Sequence, residues 1–452
     1  MSVEPFKIII VGGSITGLTL AHSLHRIGVD FIVLEKRSEI VLQEGASIGI
    51  LPNGARILDQ LGLYTLIKQA TGSLGASDLY FPDGFRFRSL YPTRVFETFG
   101  YPISFMERRR LLGILYAALP DKTKIKTGQH VISVETEARG EKGPIRVRTM
   151  DGDVYDGDLV VGADGVHSRI RDEMWRLLGP EMAARGREAI SAEYSCCFGI
   201  SDGVAELEAG EQMMRLDDGR ALLVIPSRDQ VVYWLCTQKL DRRYAYGEIP
   251  RFTAQQAEAL CSQLADTALT ETLCFGHVWE RRKSYNMVAM EEYLLPKWSS
   301  GRIVCIGDSA HKMTVNFGQG ANSAMEDAAA LTNHIYTSLL QQGVTKPTDE
   351  QMTKLLHRLQ ERQMPRISRI AGASWAAARV HARDGFVFKL VGRYLMPSRV
   401  WGGLVDARAF GLMADATALD MLSLPLGLGP GWNKYADKGK GKGTFSYMYA
   451  YM

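Results

Sequence analysis

A glycine-rich turn near the start of the chain is the feature that most constrains its fold. Lys7 to Val11 is a short β-branched run, Gly12 to Gly17 is the turn, and Leu18 to Arg26 has the apolar periodicity of a helix. Phe31 to Leu34 is then typical of a second strand. This order of elements within about thirty residues indicates a parallel βαβ unit. The sequence therefore predicts an α/β fold.

The turn reads GGSITG and fits the dinucleotide-binding pattern GxGxxG if Ser14 replaces the middle glycine. Gly12 allows the tight turn, and Gly17 allows close helix–strand packing, so a diphosphate can lie at the helix N-terminus. Glu35 follows Gly17 by eighteen residues, where an acid binds an adenosine ribose and favours FAD or NAD over NADP. The alternative is a plain strand–helix turn with a solvated glutamate.

Two glycine–acid turns occur later in the chain. Asp164-Gly165 follows a predicted strand, Asp158 to Val161, and its carboxylate can hold either a nucleotide or a neighbouring loop. An ordinary Asp-Gly turn is the commoner event. Gly307-Asp308 follows the strand-like run Arg302 to Ile306, and Asp308 can accept hydrogen bonds from a polyol such as a ribityl chain.

A glycine loop after the second of these turns opens a helix at Gly320, Ala321 and Asn322. Free amides at a helix N-terminus favour an anionic group, as the pyrimidine side of a reduced flavin would be. Three nucleotide-type motifs in this order indicate a flavin site.

Bulk composition excludes several other classes. The 53 basic and 50 acidic residues leave a net charge of +3, too even for a nucleic-acid surface. The six cysteines lack CxxC spacing, so we expect neither a metal site nor a disulfide framework, and a reducing, cytoplasmic location. We also expect no secretory signal, because no basic and apolar leader precedes the first strand.

The apolar stretches of the C-terminal tail are broken by charges and by Pro397, so a membrane-spanning helix is not expected. Two alternatives remain open for the tail. It can pack on the enzyme, or it can lie peripherally on an intracellular membrane with Trp401 and Phe410 inserted.

At this point the chain resembles the group A flavoprotein monooxygenases of the aromatic-hydroxylase type, with the three motifs in order over residues 8 to 330. The segments 45–56, 303–327 and 429–432 extend the likeness, and they resemble fungal FAD-dependent epoxidases of indole-diterpene and meroterpenoid pathways. The resemblance implies bound FAD, transient NADPH and an apolar small-molecule substrate with O₂.

With this resemblance, we predict a Rossmann-like FAD-binding domain with an inserted β-rich substrate lobe and a C-terminal helical region. The FAD-binding domain is discontinuous, over 1–75, 104–175 and 286–345. The lobe covers 76–103 and 176–285, with strands at Leu222 to Pro226 and Gln230 to Thr237. The helical region covers 346–452, with a helix at Gln351 to Ile370 and a low-complexity run at 438–443.

The resemblance also implies roles for single residues. Glu35 would hold the adenosine ribose, and Gly49 would lie near the flavin. Arg108 would contact FAD, although Arg109 and Arg110 adjoin it and a solvated arginine-rich helix start is the alternative. Asp308 and Ala321 would contact FAD as well.

Two positions depart from the family pattern. Ser14 stands where many relatives have glycine, and Val315 stands where the GD segment usually has proline. Neither change removes a cofactor-binding group. The missing proline weakens the expectation of a rigid loop facing the flavin.

The substrate lobe is rich in aromatic and apolar side chains, and we find no carboxylate or histidine clearly inside its strands. This favours epoxidation of an isolated double bond on a prenylated substrate, because an alkene needs no deprotonation. Tyr194 and Tyr233 are the candidate hydroxyls for the oxygen-transfer step, with an ordinary core tyrosine as the alternative for each. We interpret His311 as structural support. Aromatic hydroxylation on the same fold, or a non-enzymatic GDI-like binding protein, are the alternative functions.

Overall fold

The computed structural model describes residues 5–41, 47–136 and 144–435. Gly45, at the start of one segment that carries the family likeness, and the low-complexity run at 438–443 lie outside the described residues. Within the described residues, the strands in chain order are β1 Lys7–Val11, β2 Asp30–Leu34, β3 Ser47–Ile50, β4 Gly72–Ser73, β5 Ala76–Tyr80, β6 Arg86–Ser89, β7 Ser104–Glu107, β8 Ile125–Lys126, β9 Val131–Glu135, β10 Ile145–Thr149, β11 Val154–Gly157, β12 Leu159–Gly162, β13 Ser191–Asp202, β14 Glu211–Asp217, β15 Arg220–Pro226, β16 Val231–Ala245, β17 Arg282–Leu294, β18 Ser299–Ser300, β19 Ile303–Cys305 and β20 His311–Lys312.

The α-helices of the same residues are α1 Ile15–Arg26, α2 Pro52–Gln60, α3 Tyr64–Ala70, α4 Tyr91–Phe99, α5 Arg108–Ala117, α6 Arg169–Leu178, α7 Pro180–Glu188, α8 Ala254–Gln263, α9 Phe275–Glu280, α10 Gly320–Ile335, α11 Asp349–His381, α12 Gly385–Leu390, α13 Arg399–Ala414 and α14 Gly431–Lys434. A 3₁₀ turn at Val315–Phe317 precedes α10, and Val391–Leu395 continues α12 as a wider turn.

The nucleotide-binding sheet has the strand order β18-β19-β12-β1-β2-β8. All neighbours are parallel except the short β18 at one edge. Because β1, β12 and β19 are adjacent and parallel, their carboxyl ends lie side by side. The three motifs follow these three strands, so the topology gathers them at one edge, where ligands bind open α/β sheets. The α/β prediction and the opening βαβ unit are confirmed.

A second sheet of eight strands, ordered β20-β17-β13-β16-β15-β14-β5-β6, forms the β-rich lobe. It runs past the predicted end of the lobe at 285, since β17 continues to Leu294 and pairs with β20. Residues 76–103 are more regular than expected from their aromatic, loop-rich composition. They contain β5, β6 and α4, because β5 finds a parallel partner in β14 that is distant in sequence.

The C-terminal region is anchored on the nucleotide-binding core. Trp432 donates through Nε1 to the Phe99 carbonyl at 3.0 Å, and the Arg56 guanidinium lies 3.9 Å from the centroid of its ring. Gly429 packs so closely on Thr98 that an added Cβ would lie 2.3 Å from its carbonyl oxygen. The family-like segment 429–432 therefore packs on the core. It does not lie at the edge of the nucleotide-binding sheet where the three motifs meet, which we call the cofactor edge.

The alternative in which Phe410 of the tail inserts into a membrane is wrong. This ring is buried, stacked on Tyr91 and edge-on to Phe99, because α13 packs its other end on α4. Trp401, nine residues and about two and a half helical turns earlier, is exposed. Among the residues that the structure describes, no helix is long and apolar enough to cross a bilayer.

Candidate functional site

The glycine turn between β1 and α1 is closed too tightly for side chains. Gly12 has φ +108°, and a Cβ there would lie 2.3 Å from the Ala163 carbonyl oxygen. A Cβ on Gly17 would lie 1.9 Å from the Gly12 carbonyl oxygen. The turn therefore holds β1, α1 and the Ala163 loop in contact, as a nucleotide-binding turn requires.

Glu35 lies buried at the end of β2 and reaches across to this turn. Its Oε2 accepts from the Gly13 amide at 2.7 Å, and its Oε1 accepts from the Arg37 amide at 3.0 Å. Two amide donors fix the carboxylate beside the glycine turn. Oε1 also accepts from Arg37 Nη1 at 3.4 Å, whereas Oε2 retains a second lone pair for a sugar hydroxyl.

Ser14 and Arg108, predicted from separate motifs, meet in the structure. Arg108 donates through Nη2 to Ser14 Oγ at 2.7 Å. Arg110, in contrast, pairs with Asp229, and Arg109 lies near Glu107. Arg108 is thus the arginine that reaches the first turn of α1, and the serine hydroxyl that replaces glycine accepts its hydrogen bond.

The Asp164 carboxylate serves its own loop. It accepts from Ser168 Oγ at 2.5 Å and from the Ile170 amide at 3.1 Å, while Ser168 caps α6 through the Arg171 amide. Burial raises the pKa of Asp164 above its ordinary value. The contacts of this carboxylate therefore lie within residues 164–170, and its contact with a nucleotide stays a prediction.

The GD turn lies against the glycine turn. Gly307 has φ +63°, and a Cβ there would lie 2.8 Å from Thr16 Oγ1 on α1. The next residue, Asp308, is partly exposed and forms an ion pair with Lys312. The first and third motifs are therefore in van der Waals contact, with the Asp308 carboxylate accessible beside them.

His311 is buried within the fold behind the turn. Its Nε2 lies 2.6 Å from Asp327 Oδ2, and the same carboxylate oxygen accepts from the Gly307 amide at 2.9 Å. Asp327 Oδ1 also accepts from Gln363. These contacts agree with our interpretation of His311 as structural support, since it positions the GD turn through Asp327.

The start of α10 is open. Gln319 precedes the helix without a side-chain cap, and an added Cβ on Gly320 would meet no atom within 4 Å. The first amides of the helix, at Gly320 and Ala321, have no intrahelical acceptor, so they are available to a ligand.

Asn322 is a site residue that sequence reasoning valued only for its amide. Its side chain is buried, accepts from the Leu51 amide at 3.1 Å, and donates to the Gly49 carbonyl at 3.0 Å and the Gly318 carbonyl at 2.8 Å. It thereby ties β3, which carries Gly49, to the glycine loop before α10. The sequence feature that could have indicated this role is a polar residue in the first turn of a helix, close to two glycines.

A buried polar network behind Asn322 was also missed. Asn53 donates to Gln319 at 2.8 Å and to Glu326 at 2.6 Å. Glu326 is in turn paired with Arg366 of α11, and it accepts from the Thr417 amide. The network joins α2, α10 and α11 behind the cofactor edge. Its members are far apart in sequence, so no local sequence pattern predicts the network.

The eight-stranded sheet turns one face towards the nucleotide-binding core. Ile200 lies opposite Tyr233, which lies opposite Ile225, and these three are buried in the core that contains β1 and α10. The opposite face, with Trp234 and Cys197, packs on α8 and α9. The predicted lobe aromatics are therefore divided between two faces.

The next row on the site-facing side is apolar on five neighbouring strands, and it ends on β17 at Asn286, which lies opposite Phe198. Phe198 lies opposite Leu235, which continues to Leu223, Met214 and Leu79 on successive neighbouring strands. We call these five residues the apolar row. A substrate lying between this face and the cofactor edge would meet hydrocarbon.

Tyr194 and Tyr233 do not lie together. Tyr194 is opposite Lys239 on β16, six residues beyond Tyr233. At about 3.3 Å per residue the two positions are about 20 Å apart. At most one of these hydroxyls can act at a given reacting atom.

Tyr233 lies on the cofactor side of the lobe. It lines a small cavity together with Phe105 and Gly72. The Phe105 ring would be 3.2 Å from a Cβ on Gly49, so the cavity adjoins the strand predicted to approach the flavin. Burial raises the pKa of Tyr233 to about 12, so its hydroxyl remains protonated at neutral pH.

Tyr194 already has a partner. Its hydroxyl donates to Asp384 Oδ2 at 2.7 Å, and the Arg379 guanidinium lies 5.5 Å from the centroid of its ring. Burial and this hydrogen bond raise the pKa of Tyr194 far above its ordinary value. These contacts tie β13 to the end of α11, as expected for the alternative of a core tyrosine with a satisfied hydroxyl.

The expectation that no carboxylate lies inside the lobe strands is wrong. Glu193 lies in β13, paired with Arg379 and Arg243. Glu292, in the neighbouring β17, is only 7% exposed, and burial raises its pKa to about 7. The charged groups around Glu292 are Arg379, Glu193 and Arg243, so it belongs to an ion cluster beneath α11.

A neutral histidine supports the loop at Val315, the position where the family pattern usually has proline. His381 Nδ1 lies 3.2 Å from Asn316 Nδ2, directly after Val315, and burial lowers the pKa of His381 to about 4. The neutral ring can accept from the Asn316 amide. This contact from α11 replaces some of the stiffness that a proline would bring.

Taken together, these residues fit FAD. No side chain caps the first turn of α1 or of α10, so both helix N-termini can accept anionic groups. The space at Gly320 is open, and Glu35 stands at the end of β2, where a ribose binds in such folds. Within the described residues, no group of three or more potential metal ligands is found.

Comparison with known proteins agrees with this geometry. Residues 6–350 match the family described as the FAD binding domain. The FAD-dependent monooxygenases dpfgE of Gibberella zeae and dpchE of Colletotrichum higginsianum are each 55% identical over 442 residues, covering 97% of this chain and 94% of theirs. Among solved structures, Klebsiella pneumoniae HpxO with FAD and uric acid has a TM-score of 0.69 at 20% identity, covering 89% of this chain and 96% of its own, which shows a common fold.

Proposed function

The chain belongs to the FAD-binding domain family and is a FAD-dependent monooxygenase, and from that premise we propose that it epoxidises a double bond. The substrate is a prenylated secondary-metabolite intermediate of the indole-diterpene or meroterpenoid type, and NADPH and O₂ are consumed. The products are the epoxide, water and NADP⁺, so one oxygen atom enters the substrate and the other leaves as water.

The apolar row is the observation that carries the substrate class. Phe198, Leu235 and Leu223 form its centre, on the face that covers the cofactor edge. Side chains of this kind stabilise a prenyl chain by burial, about 25 cal/mol per Å² of apolar surface, and offer no hydrogen bond to a phenol. The ion cluster around Glu292 is held by Arg379 beneath α11 and supplies no base to this row.

FAD, when bound, would supply the redox chemistry: it would be reduced by NADPH and would then activate O₂. The residues of the chain hold and orient it. Glu35 would accept from the adenosine ribose, Asp308 would accept from the ribityl chain, and Arg108 would contact the cofactor beside Ser14. The amides at Gly320 and Ala321 would lie against the anionic side of the reduced ring, with Gly49 close by.

The lobe residues exclude water and supply one proton donor. Tyr233, whose pKa of about 12 keeps its hydroxyl protonated even at alkaline pH, would donate a hydrogen bond to the oxygen atom that leaves as water. Tyr194 donates to Asp384, so in this proposal it positions α11 on the sheet and has no part in the transfer.

The decisive test is product analysis with purified holoenzyme, NADPH and ¹⁸O₂. We expect a panel of polyprenyl and prenylated aromatic compounds to give products that gain one ¹⁸O on the prenyl chain, as fragment masses would locate it. Products hydroxylated only on the aromatic ring would establish the hydroxylase alternative.

Two matched variants test the tyrosine assignment. Tyr233→Phe should lower kcat about a hundredfold to ten-thousandfold, the range typical for loss of a positioned donor, and increase uncoupled NADPH oxidation. Tyr194→Phe removes an equally buried hydroxyl and should leave kcat within about twofold. Equal losses in both variants, or a loss in Tyr194→Phe alone, would refute the assignment.

A prenylated substrate of this kind partitions into membranes. Peripheral contact of the enzyme with an intracellular membrane is therefore a second and separate proposal.

A further inference from the structure

Two consecutive helices in the C-terminal region leave large apolar side chains in solvent. On α12 and its continuation, Phe386 is 75% exposed, and Val387, Leu390 and Tyr394 are exposed as well. The spacing of Phe386, Leu390 and Tyr394 is four residues, so they form one stripe of the helix. Isolated exposed apolar residues are ordinary, whereas a contiguous stripe indicates a binding surface.

The following helix repeats the pattern. On α13, Val400 is 73% exposed, Trp401 is 54% exposed, and Leu404 and Val405 are also exposed. Their positions, i, i+1, i+4 and i+5, again share one face. We call these four residues, together with the four on α12 and its continuation, the apolar patch.

The charges on α13 indicate which kind of partner binds the apolar patch. Arg399 and Arg408 lie at the two ends of its apolar face and are exposed, and neither has an acidic partner among the residues that the structure describes. The acid on this helix, Asp406, is paired with Arg94. The patch is therefore apolar in the middle and cationic at its ends.

A second copy of this chain does not suit such a surface. In an isologous dimer the same patch would face itself, and the unpaired arginines would meet a surface with no unpaired acid on α13. Anionic phospholipid provides both complements, since acyl chains accept the aromatic and aliphatic side chains and headgroup phosphates accept the arginines.

The patch also adjoins the inner face of the lobe. Met396, between the two helices, packs against Phe81 in a cluster with Leu79 and Met214. Leu79 and Met214 are the outer members of the apolar row. The chain between the two helices of the patch is thus in the same apolar cluster as the outer end of the apolar row.

We propose that the apolar patch docks the enzyme on the surface of an anionic phospholipid membrane, with Phe386, Trp401 and Leu404 inserted at the level of the headgroups. The contact made by these two helices is peripheral. Because the outer end of the apolar row shares a cluster with the chain between these helices, substrate enters the site from the lipid phase. This entry route rests on the proposed function, whereas the docking does not.

The test of docking is vesicle flotation of the full-length holoenzyme, without substrate or turnover. We expect the protein to float with vesicles of 30% phosphatidylserine in phosphatidylcholine, and less with phosphatidylcholine alone. Trp401→Ser/Leu404→Ser should lower the bound fraction at least tenfold, and Arg399→Ser/Arg408→Ser should lower it severalfold on anionic vesicles only.

The control is Leu66→Ser/Val154→Ser, which removes two apolar side chains of similar exposure on other elements and should float like the wild type. Flavin absorption and thermal unfolding confirm that each variant is folded, since all the substituted side chains are exposed. Wild-type protein that does not float, or a patch variant that floats equally, would overturn the proposal. Loss of a dimer in Trp401→Ser/Leu404→Ser, without flotation of the wild type, would instead identify a second copy as the occupant.

The experiment separates docking from epoxidation. A short, water-soluble prenylated substrate should be turned over equally by the wild type and the patch variant if only docking is lost. Absence of turnover in both, with normal flotation of the wild type, would contradict the proposed function and leave docking intact.

Discussion

Replacement of Asn322 by alanine should lower both the stability of the protein and its affinity for FAD. The side chain makes three hydrogen bonds to backbone groups of Leu51, Gly49 and Gly318, and it is fully buried. Each such bond contributes about 1 kcal/mol net, so Asn322→Ala should lower the free energy of unfolding by about 3 kcal/mol. Since the loss frees β3 from the glycine loop before α10, the FAD dissociation constant should rise at least tenfold.

Asn333 provides the matched control on the same helix. It is also buried, donates to the Ala418 carbonyl at 2.7 Å and accepts from the Asp420 amide at 3.0 Å. It lies eleven residues after Asn322, about 16 Å further along α10 and away from the open N-terminus. Asn333→Ala should cost about 2 kcal/mol of unfolding free energy, from two bonds, and leave FAD affinity unchanged.

The assay has two independent readouts. Urea unfolding of the apoproteins gives the stability differences, and quenching of flavin fluorescence on titration with apoprotein gives the FAD dissociation constant. If Asn322→Ala and Asn333→Ala weaken FAD binding equally, the side chain acts only through global stability. Unaltered FAD affinity in Asn322→Ala would refute its role in positioning Gly49 and Gly318.

Three further changes have expected outcomes. Glu35→Gln keeps the size of the side chain but removes its charge, so the FAD dissociation constant should rise about tenfold or more by fluorescence titration, with Glu39→Gln, at an exposed acid, unchanged. The pKa of Glu292 is about 7 in the folded chain, against an ordinary value of 4.5, so the folded state holds a proton which the unfolded state loses, and stability should fall as the pH rises from 4.5 to 7. Glu292→Gln should remove up to about 3 kcal/mol of that fall in urea unfolding, and an identical slope in both proteins would show that Glu292 does not carry the proton. Val315→Pro should raise the free energy of unfolding by about 0.4–1 kcal/mol, because Thr314 has ψ 156° and Val315 begins a 3₁₀ turn, both compatible with proline; a less stable variant would show that the Val315 amide or its φ is needed.

Much of the nucleotide-binding half followed from local pattern. The glycines of the first turn, Glu35 and the two glycine–acid turns each follow a strand directly, and parallel strands bring their carboxyl ends to one edge. The site there could be predicted because each motif carries its structural context in neighbouring residues. Arg108 could be predicted only as one of three adjacent arginines, and its contact with Ser14 singled it out.

The other half of the site depends on contacts between distant segments. Asn322 acts on Gly49 across 273 residues, and Tyr194 meets Asp384 across 190. Glu292 was missed because it lies in a strand that continues beyond the predicted lobe and beneath a helix from the C-terminal region. A local window contains no information on such partners.

What the sequence by itself determined is the βαβ start, the order of the three motifs and therefore the flavin-binding class, because these depend on backbone geometry within a few residues. Only the tertiary structure decided which face of each lobe strand turns inward, that Tyr233 and not Tyr194 adjoins the cofactor side, and that Phe410 is buried while Trp401 is exposed. Strand register and helix packing set those directions, and a shift of one residue in a strand reverses the face of every side chain. That choice is made by long-range burial, which no single stretch of sequence contains.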